Sequence, residues 1–212
     1  DTIDMDVHLM DVTVINSGAN GVNLGTDEVD YAGTRSIMVD GLTINKANKG
    51  MVLSGLKGEF HNTLVTQALN RDIVIITSDV ELFQPTLDAL NEDTVQVIES
   101  GSVKFWYTLK VYVEWDTGDA VEGAVVEITD NQHTLIAVRT QYNDTGLPEL
   151  MLNSFQFRET GLYTRSPYLL NVTFRNIQKV EAVSLETDKE RTIVLADHSP
   201  PSILINEPVP DQ

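Results

Sequence analysis

Aspartate is the residue type with the most chemistry to offer in this chain. Asp11 and Asp40 open matching stretches, Asp11-Val12-Thr13-Val14-Ile15-Asn16 and Asp40-Gly41-Leu42-Thr43-Ile44-Asn45. Asp72 and Asp93 close another matching pair, Ala68-Leu69-Asn70-Arg71-Asp72 and Ala89-Leu90-Asn91-Glu92-Asp93. Carboxylates gathered on one face can hold calcium, and a base such as Arg71 beside them can remove a proton next to a substrate carboxylate. That combination is what a polysaccharide lyase requires. A hydrolase needs two or three carboxylates within reach of one bond, and the sequence shows no such cluster. Asp116, Asp119 and Asp130 form a second candidate set for calcium. Aspartate at a chain corner also makes the turn by bonding nearby backbone, and this plainer reading applies to all seven.

Other chemistries find little footing. His8, His61, His133 and His198 share no ligand spacing, which argues against a zinc or copper site. There is no glycine-rich phosphate loop, no Gly-x-Ser-x-Gly elbow and no Ser/His/Asp set. The chain has no cysteine, so disulfides and thiolate metal sites are excluded. Its 32 acidic against 14 basic side chains give a net charge of −18. Phosphate-backbone binding is built from Lys and Arg contacts, so nucleic acid and anionic membrane are poor partners. No apolar run is long enough for a membrane helix. Asn143-Asp144-Thr145 and Asn171-Val172-Thr173 meet the N-glycosylation pattern, which suits a secreted chain.

The elements that must position these groups are strands. Val7, Leu9, Val12, Val14 and Ile15 alternate briefly before a polar corner, and so do Ile37, Val39, Leu42 and Ile44. At an offset of 29 (45 − 16 = 29), Asp11 falls on Asp40, Ile15 on Ile44 and Asn16 on Asn45. Val65 takes the Ile44 place in a third unit, and Ala68 to Asp72 recur at an offset of 21 (89 − 68 = 21). Units of roughly 20 to 30 residues that cannot bury their own apolar face stack as a solenoid. The expectation is a ladder of Ile15, Ile44 and Val65 inside, with Asn16 and Asn45 at one corner. Gly18, Gly21 and Gly50 are expected where φ is positive, and residues 26–34 are expected to loop out. With a repeat already running at its first residues, the chain reads as a segment of something longer.

The apolar-x-apolar-x-Asn pattern with its glycine corner resembles right-handed parallel β-helix repeat proteins, the pectate-lyase-like and NosD-like group, over about the first hundred residues. This implies a fold and no single activity.

The pattern changes at Ser102. Residues 103–115 read as one long aromatic strand ending at Asp116-Thr117-Gly118-Asp119. Its Phe105, Trp106 and Tyr107 are read as a cap on the solenoid's open end, with a platform for a sugar ring as the functional alternative. The strand, the Asp-x-Gly turn, Val121-Glu122-Gly123-Ala124, a further strand and an Asp-Thr-Gly turn are similar to the carboxypeptidase-regulatory-like, or transthyretin-like, module. Later strands are expected at residues 166–174 and 191–195, while 147–163 departs from the usual pattern and is given no firm strand assignment. The paired prolines Pro200 and Pro201 make a stiff spacer before what resembles the start of another module.

The expected organisation is all-β: parallel β-helix coils over 1–102, a transthyretin-like or immunoglobulin-like β-sandwich over 103–197, and a linker over 198–212. Such an arrangement is similar to large secreted archaeal surface proteins. The expected function is a non-catalytic segment of a secreted or cell-surface protein, adhesive or glycan-contacting, whose partners are neighbouring modules, a glycan or a surface protein. A polysaccharide lyase or hydrolase remnant using Asp11, Asp40, Asp72 and Asp93 is one alternative. Self-assembly through exposed strand edges is another.

Overall fold

A computed structural model describes residues 7–25 and 36–196. The expected loop at 26–34, His198 and the proline-containing tail lie outside the described residues. Among the described residues there are 20 strands and no helix, and the fold is all-β, with parallel sheets and an antiparallel sheet.

The first four turns of chain each lay down three strands. They are β1 (Val7–Met10), β2 (Thr13–Ile15) and β3 (Asn20–Gly25); β4 (Ser36–Asp40), β5 (Thr43–Asn45) and β6 (Lys49–Ser54); β7 (Lys57–His61), β8 (Leu64–Thr66) and β9 (Arg71–Ile76); and β10 (Asp79–Phe83), β11 (Thr86–Leu87) and β12 (Val95–Ile98). Every strand pairs in parallel with its counterpart one turn away, giving sheets ordered β1-β4-β7-β10, β2-β5-β8-β11 and β3-β6-β9-β12. Alternation sets the inward face. Val39, Ile44, Leu53, Phe60, Val65, Ile73, Ile75 and Leu82 are all almost fully buried.

The register differs from the repeat read in the sequence. Val14 pairs with Ile44 and Ile15 with Asn45, an offset of 30 rather than 29, so Ile15 is 62% exposed and the inner ladder is Val14, Ile44, Val65 and Leu87. The offset becomes 29 only after the corner, where Asn20 meets Lys49. The first turn spends Asn16, Ser17, Gly18 and Ala19 between its strands, and the second spends only Lys46, Ala47 and Asn48. The corner equivalent of Asn16 is therefore Lys46, not Asn45. Asn16, Lys46 and Gln67 all carry positive φ there, between 56° and 63°.

Gly18, Gly21 and Gly50 do not have positive φ. Gly21 is required by crowding, because a Cβ there would sit 2.5 Å from Ile44 Cγ2 and 2.8 Å from the Gly50 carbonyl oxygen. Gly50 is hemmed in the same way by Val65 and the Asp72 carbonyl.

The remaining strands are β13 (Ser102–Trp115), β14 (Val125–Thr129), β15 (Leu135–Thr140), β16 (Leu150–Arg158), β17 (Gly161–Thr164), β18 (Tyr168–Phe174), β19 (Ile177–Val183) and β20 (Lys189–Leu195). An antiparallel sheet runs β15-β14-β18-β19, and β13-β16-β17 extends the first parallel sheet with antiparallel pairs. The stretch that departs from the module's pattern, 147–163, supplies β16 and all but the last residue of β17.

Strand β13 belongs to both halves. Its Ser102 to Trp106 pair in parallel with β10, and its Leu109 to Trp115 pair in parallel with β20. Along its other edge, Ser102 to Leu109 pair with β16. One apolar cluster accordingly runs from Ile37 through Phe105 and Leu109 to Leu195.

Candidate functional site

The outward face of the main sheet carries the most organised side chains. Odd-numbered residues of β13 from Val103 to Val113 point into the core, and the even-numbered ones point out. Phe105 and Tyr107 are thus buried, while Trp106 joins an outer row with His61 and Phe83. The rings of His61 and Phe83 stack with centroids 4.5 Å apart and planes 7° from parallel, and those of Phe83 and Trp106 at 5.9 Å and 14°. Ring pairs of this kind contribute about 0.5–1.5 kcal/mol each beyond the area they bury. Phe83 spends both of its faces on neighbours. The ladder ties three adjacent strands together through Phe83.

Next to the ladder, the ends of β10 and β20 meet along one edge of β13. Neither strand reaches Thr108, and Asp188 fills the gap. One carboxylate oxygen accepts the Thr108 backbone N–H at 2.6 Å, and the other accepts Gln84 Nε2 at 2.9 Å. Gln84 Nε2 also donates to Thr108 Oγ1 at 3.0 Å. Burial pushes the neighbouring Tyr107 hydroxyl up, helped by the Asp188 and Glu186 carboxylates.

At the far end of the ladder, β13 and β16 slip register between Phe105 and Trp106, forming a bulge opposite Ser154. Here a cleft of about 380 Å³ is lined by Trp106, Asn153, Gln156, Arg158 and Arg165, among others. Trp106 Nε1 and Asn153 Oδ1 are both buried and have no hydrogen-bond partner among the described residues. Tyr168, whose hydroxyl is pushed up to about 12 chiefly by burial, donates to the Asn153 carbonyl at 2.6 Å.

The structure sets the aspartates that the sequence paired one step out of register on adjoining turns, with the Asp11 N–H donating to the Asp40 carbonyl at 2.9 Å. Asp40 lies opposite Met10, and Asp11 lies over Gly41. Asp40 Oδ1 accepts Asn62 Nδ2 at 2.9 Å. Asp72 sits at the level of Thr94, and Asp93 faces Arg71, whose guanidinium bonds the Asp93 carbonyl oxygen; the offset in this turn is 22 rather than 21. Asp72 is 2% exposed, and its carboxyl is pushed up to about 6, first by burial and then by the Asp88 carboxylate, with a backbone hydrogen bond from Asp88 opposing. That value suits proton transfer, but the group is sealed away from any substrate.

Asp116 and Asp119 occupy the turn before β14, and Asp130 follows that strand, so its length separates them. Asp119 Oδ2 accepts the Thr117 hydroxyl, and Asp130 Oδ1 accepts the backbone N–H groups of Gln132 and Thr134. Among the described residues, no group of three or more His, Asp or Glu side chains comes together as a metal site. Asn143 stands on an exposed turn that its own side chain closes with Thr145. Asn171 lies within β18, with its amide bonded to Glu127 and Gln178.

Phe83 and Asp188 are absent from the sequence reading, and His61 enters it only as a candidate metal ligand. The spacings of 22 from His61 to Phe83 and 23 from Phe83 to Trp106 carry the one signal that marks the ladder. Asp188 had none, since its partners lie 80 and 104 residues away. No family model matches the chain, and no curated protein matches it.

Proposed function

We propose that this chain is a non-catalytic, rigid segment of a secreted or cell-surface modular protein, in which β-helix coils are joined without a hinge to a transthyretin-like sandwich. The observation that carries this reading is β13, which is gripped along one edge by β10 and β20 and along the other by β16. A linker between modules presents free backbone and bends, whereas a strand with both edges paired and alternate side chains in one core does neither. Carboxylates engaged in turn and side-chain hydrogen bonds, and a ring ladder whose middle member has both faces occupied, fit a scaffold better than an active site. An acidic surface keeps such a scaffold soluble and apart from polyanions.

Denaturant unfolding, followed separately by tryptophan fluorescence and by far-ultraviolet dichroism, tests the rigid-segment reading. Coincident transitions are expected. Two resolved transitions, one for each half, would overturn it. Calcium-dependent release of unsaturated sugars from polyuronate, abolished by Asp40→Ala, would replace it with the lyase reading.

A further inference from the structure

We propose that Asn143 is an N-glycan attachment site, and that the first sugar of its glycan lies over the Tyr142 ring, in the groove where the loop after β15 meets β13. The proposal rests on the secreted or cell-surface reading above, because N-glycans are added to chains on their way out of the cell.

The chain has two Asn-x-Thr tripeptides, at Asn143 and Asn171, and the fold treats them differently. Asn171 lies within β18, where its Nδ2 donates to Glu127 Oε2 at 3.1 Å and its Oδ1 accepts Gln178 Nε2 at 2.8 Å, so both amide atoms are engaged. Asn143 lies in an exposed turn that its Oδ1 closes by accepting the Thr145 backbone N–H at 3.1 Å and the Thr145 hydroxyl at 2.6 Å. Its Nδ2 has no hydrogen-bond partner among the described residues. The turn therefore leaves free the one atom that a sugar would be joined to.

This turn is held at both ends. Gln141 is 1% exposed, and its side-chain amide pairs with β13 as a strand would, accepting the Val113 N–H at 2.8 Å and donating to the Val113 carbonyl at 2.7 Å. The Leu147 N–H donates to the Val111 carbonyl at 2.7 Å. Between these anchors Tyr142, Asn143, Asp144 and Thr145 all stand exposed.

Tyr142 gives the glycan a surface to lie on. At 79% exposed it is the most accessible aromatic ring among the described residues, and no ring or cation there pairs with it. Tyr142 and Asn143 line one groove of about 340 Å³, together with Lys110 and Glu149, a donor and an acceptor for sugar hydroxyls. A pyranose has an apolar face of C–H groups that can cover an open ring while its hydroxyls meet polar groups at the edge. Phe83, with both faces occupied, offers no such surface.

In the transfer, a bond forms between Asn143 Nδ2 and C1 of the sugar as the bond from C1 to a phosphate oxygen of a lipid-linked donor breaks. The lipid phosphate leaves with the electron pair, and one Nδ2 proton passes to a base of the transferase. The transferase and the lipid-linked donor are supplied by the secreting cell.

The full chain, secreted from a eukaryotic host behind a signal peptide, is compared with the same chain made in a bacterial cytoplasm that adds no N-glycan. Each sample carries Thr173→Val, which removes the second tripeptide at an exposed strand position. Peptide mass spectrometry is expected to find glycan on Asn143 in most secreted copies and on none after Thr145→Ala. Urea unfolding is then compared with and without Tyr142→Ala, a change at a ring exposed enough for the variant to fold. The glycan is expected to shift the folding equilibrium about fivefold towards the native state when Tyr142 is present, and less than about twofold in Tyr142→Ala. An unmodified Asn143 overturns the attachment, and an equal shift in both backgrounds overturns the packing on Tyr142. Either result leaves the rigid-segment reading intact, because that stands on the coincidence of the two unfolding transitions.

Discussion

Replacing Asp72 by asparagine should stabilise the protein at neutral pH and do so less in acid. Asp72 is 2% exposed, its Oδ2 has no partner among the described residues, and its carboxyl is pushed up from 3.8 to about 6. Because the folded-state value is raised, the native protein holds a proton that the unfolded chain releases between pH 3.8 and 6. Stability therefore falls as pH rises through that window, and above it the full penalty is present. At 1.36 kcal/mol per pH unit, the gap between 3.8 and 6 amounts to about 3 kcal/mol. Asparagine removes the charge but leaves an amide where Oδ2 stood, at a cost of about 1–2 kcal/mol. Asp72→Asn should then gain about 1–2 kcal/mol at about pH 7.5, and the difference from the wild type should shrink by about 2 kcal/mol at about pH 4.5. Urea unfolding at the two pH values, with midpoints and slopes fitted separately, reads this directly. A variant less stable than the wild type at neutral pH, or a difference independent of pH, would refute the reasoning.

Three further substitutions probe the architecture. Asp188→Ala strips the acceptors from Thr108 N–H and Gln84 at an exposed seam; a loss of about 1–2 kcal/mol is expected, with amide exchange at Thr108 faster than at Val111. Phe83→Ala removes the middle ring of the ladder and should cost about 1–3 kcal/mol in denaturant unfolding, whereas a neutral result would show that the rings do not hold the turns. Ile44→Ala should lose about 2–5 kcal/mol from a fully buried site, and Ile15→Ala less than about 0.5 kcal/mol from an exposed one. Similar losses at both positions would restore the register that places Ile15 over Ile44.

Strand existence was legible because burial follows alternation. Val39, Ile44 and Val65 announce themselves by spacing alone, and the equivalence of Ile44 with Val65 is realised in the sheet. The register was not legible for a physical reason. The repeat was aligned on polar identities, Asp with Asp and Asn with Asn, which lie at the surface, where stacking does not constrain the side chain. The constraint acts on inward residues, and the turns differ by one residue at the corner between their second and third strands, so the surface match misplaces the first two strands by one step. The glycines were misassigned similarly. Sequence suggests a special φ, whereas Gly21 and Gly50 are small because the neighbouring turn leaves no volume. The β16–β17 hairpin was hidden by half-buried Asn153, Gln156 and Phe155 around the bulge, which interrupt the alternation. The cleft depends on that irregularity, and on Arg165 from beyond β17, so no contiguous stretch could display it.

A strand shared by two neighbours sets limits on recombination. A graft that begins at Ser102 would carry a β13 whose first five positions have lost the ladder supplied by β10, leaving a bare template for pairing with another chain. A cut after Trp115 would strand β20 without the seven partners that hold it. Any exchange of the antiparallel part between proteins of this build must bring its own preceding turn of chain, so the unit of inheritance extends past the point where the parallel turns give way to antiparallel pairs.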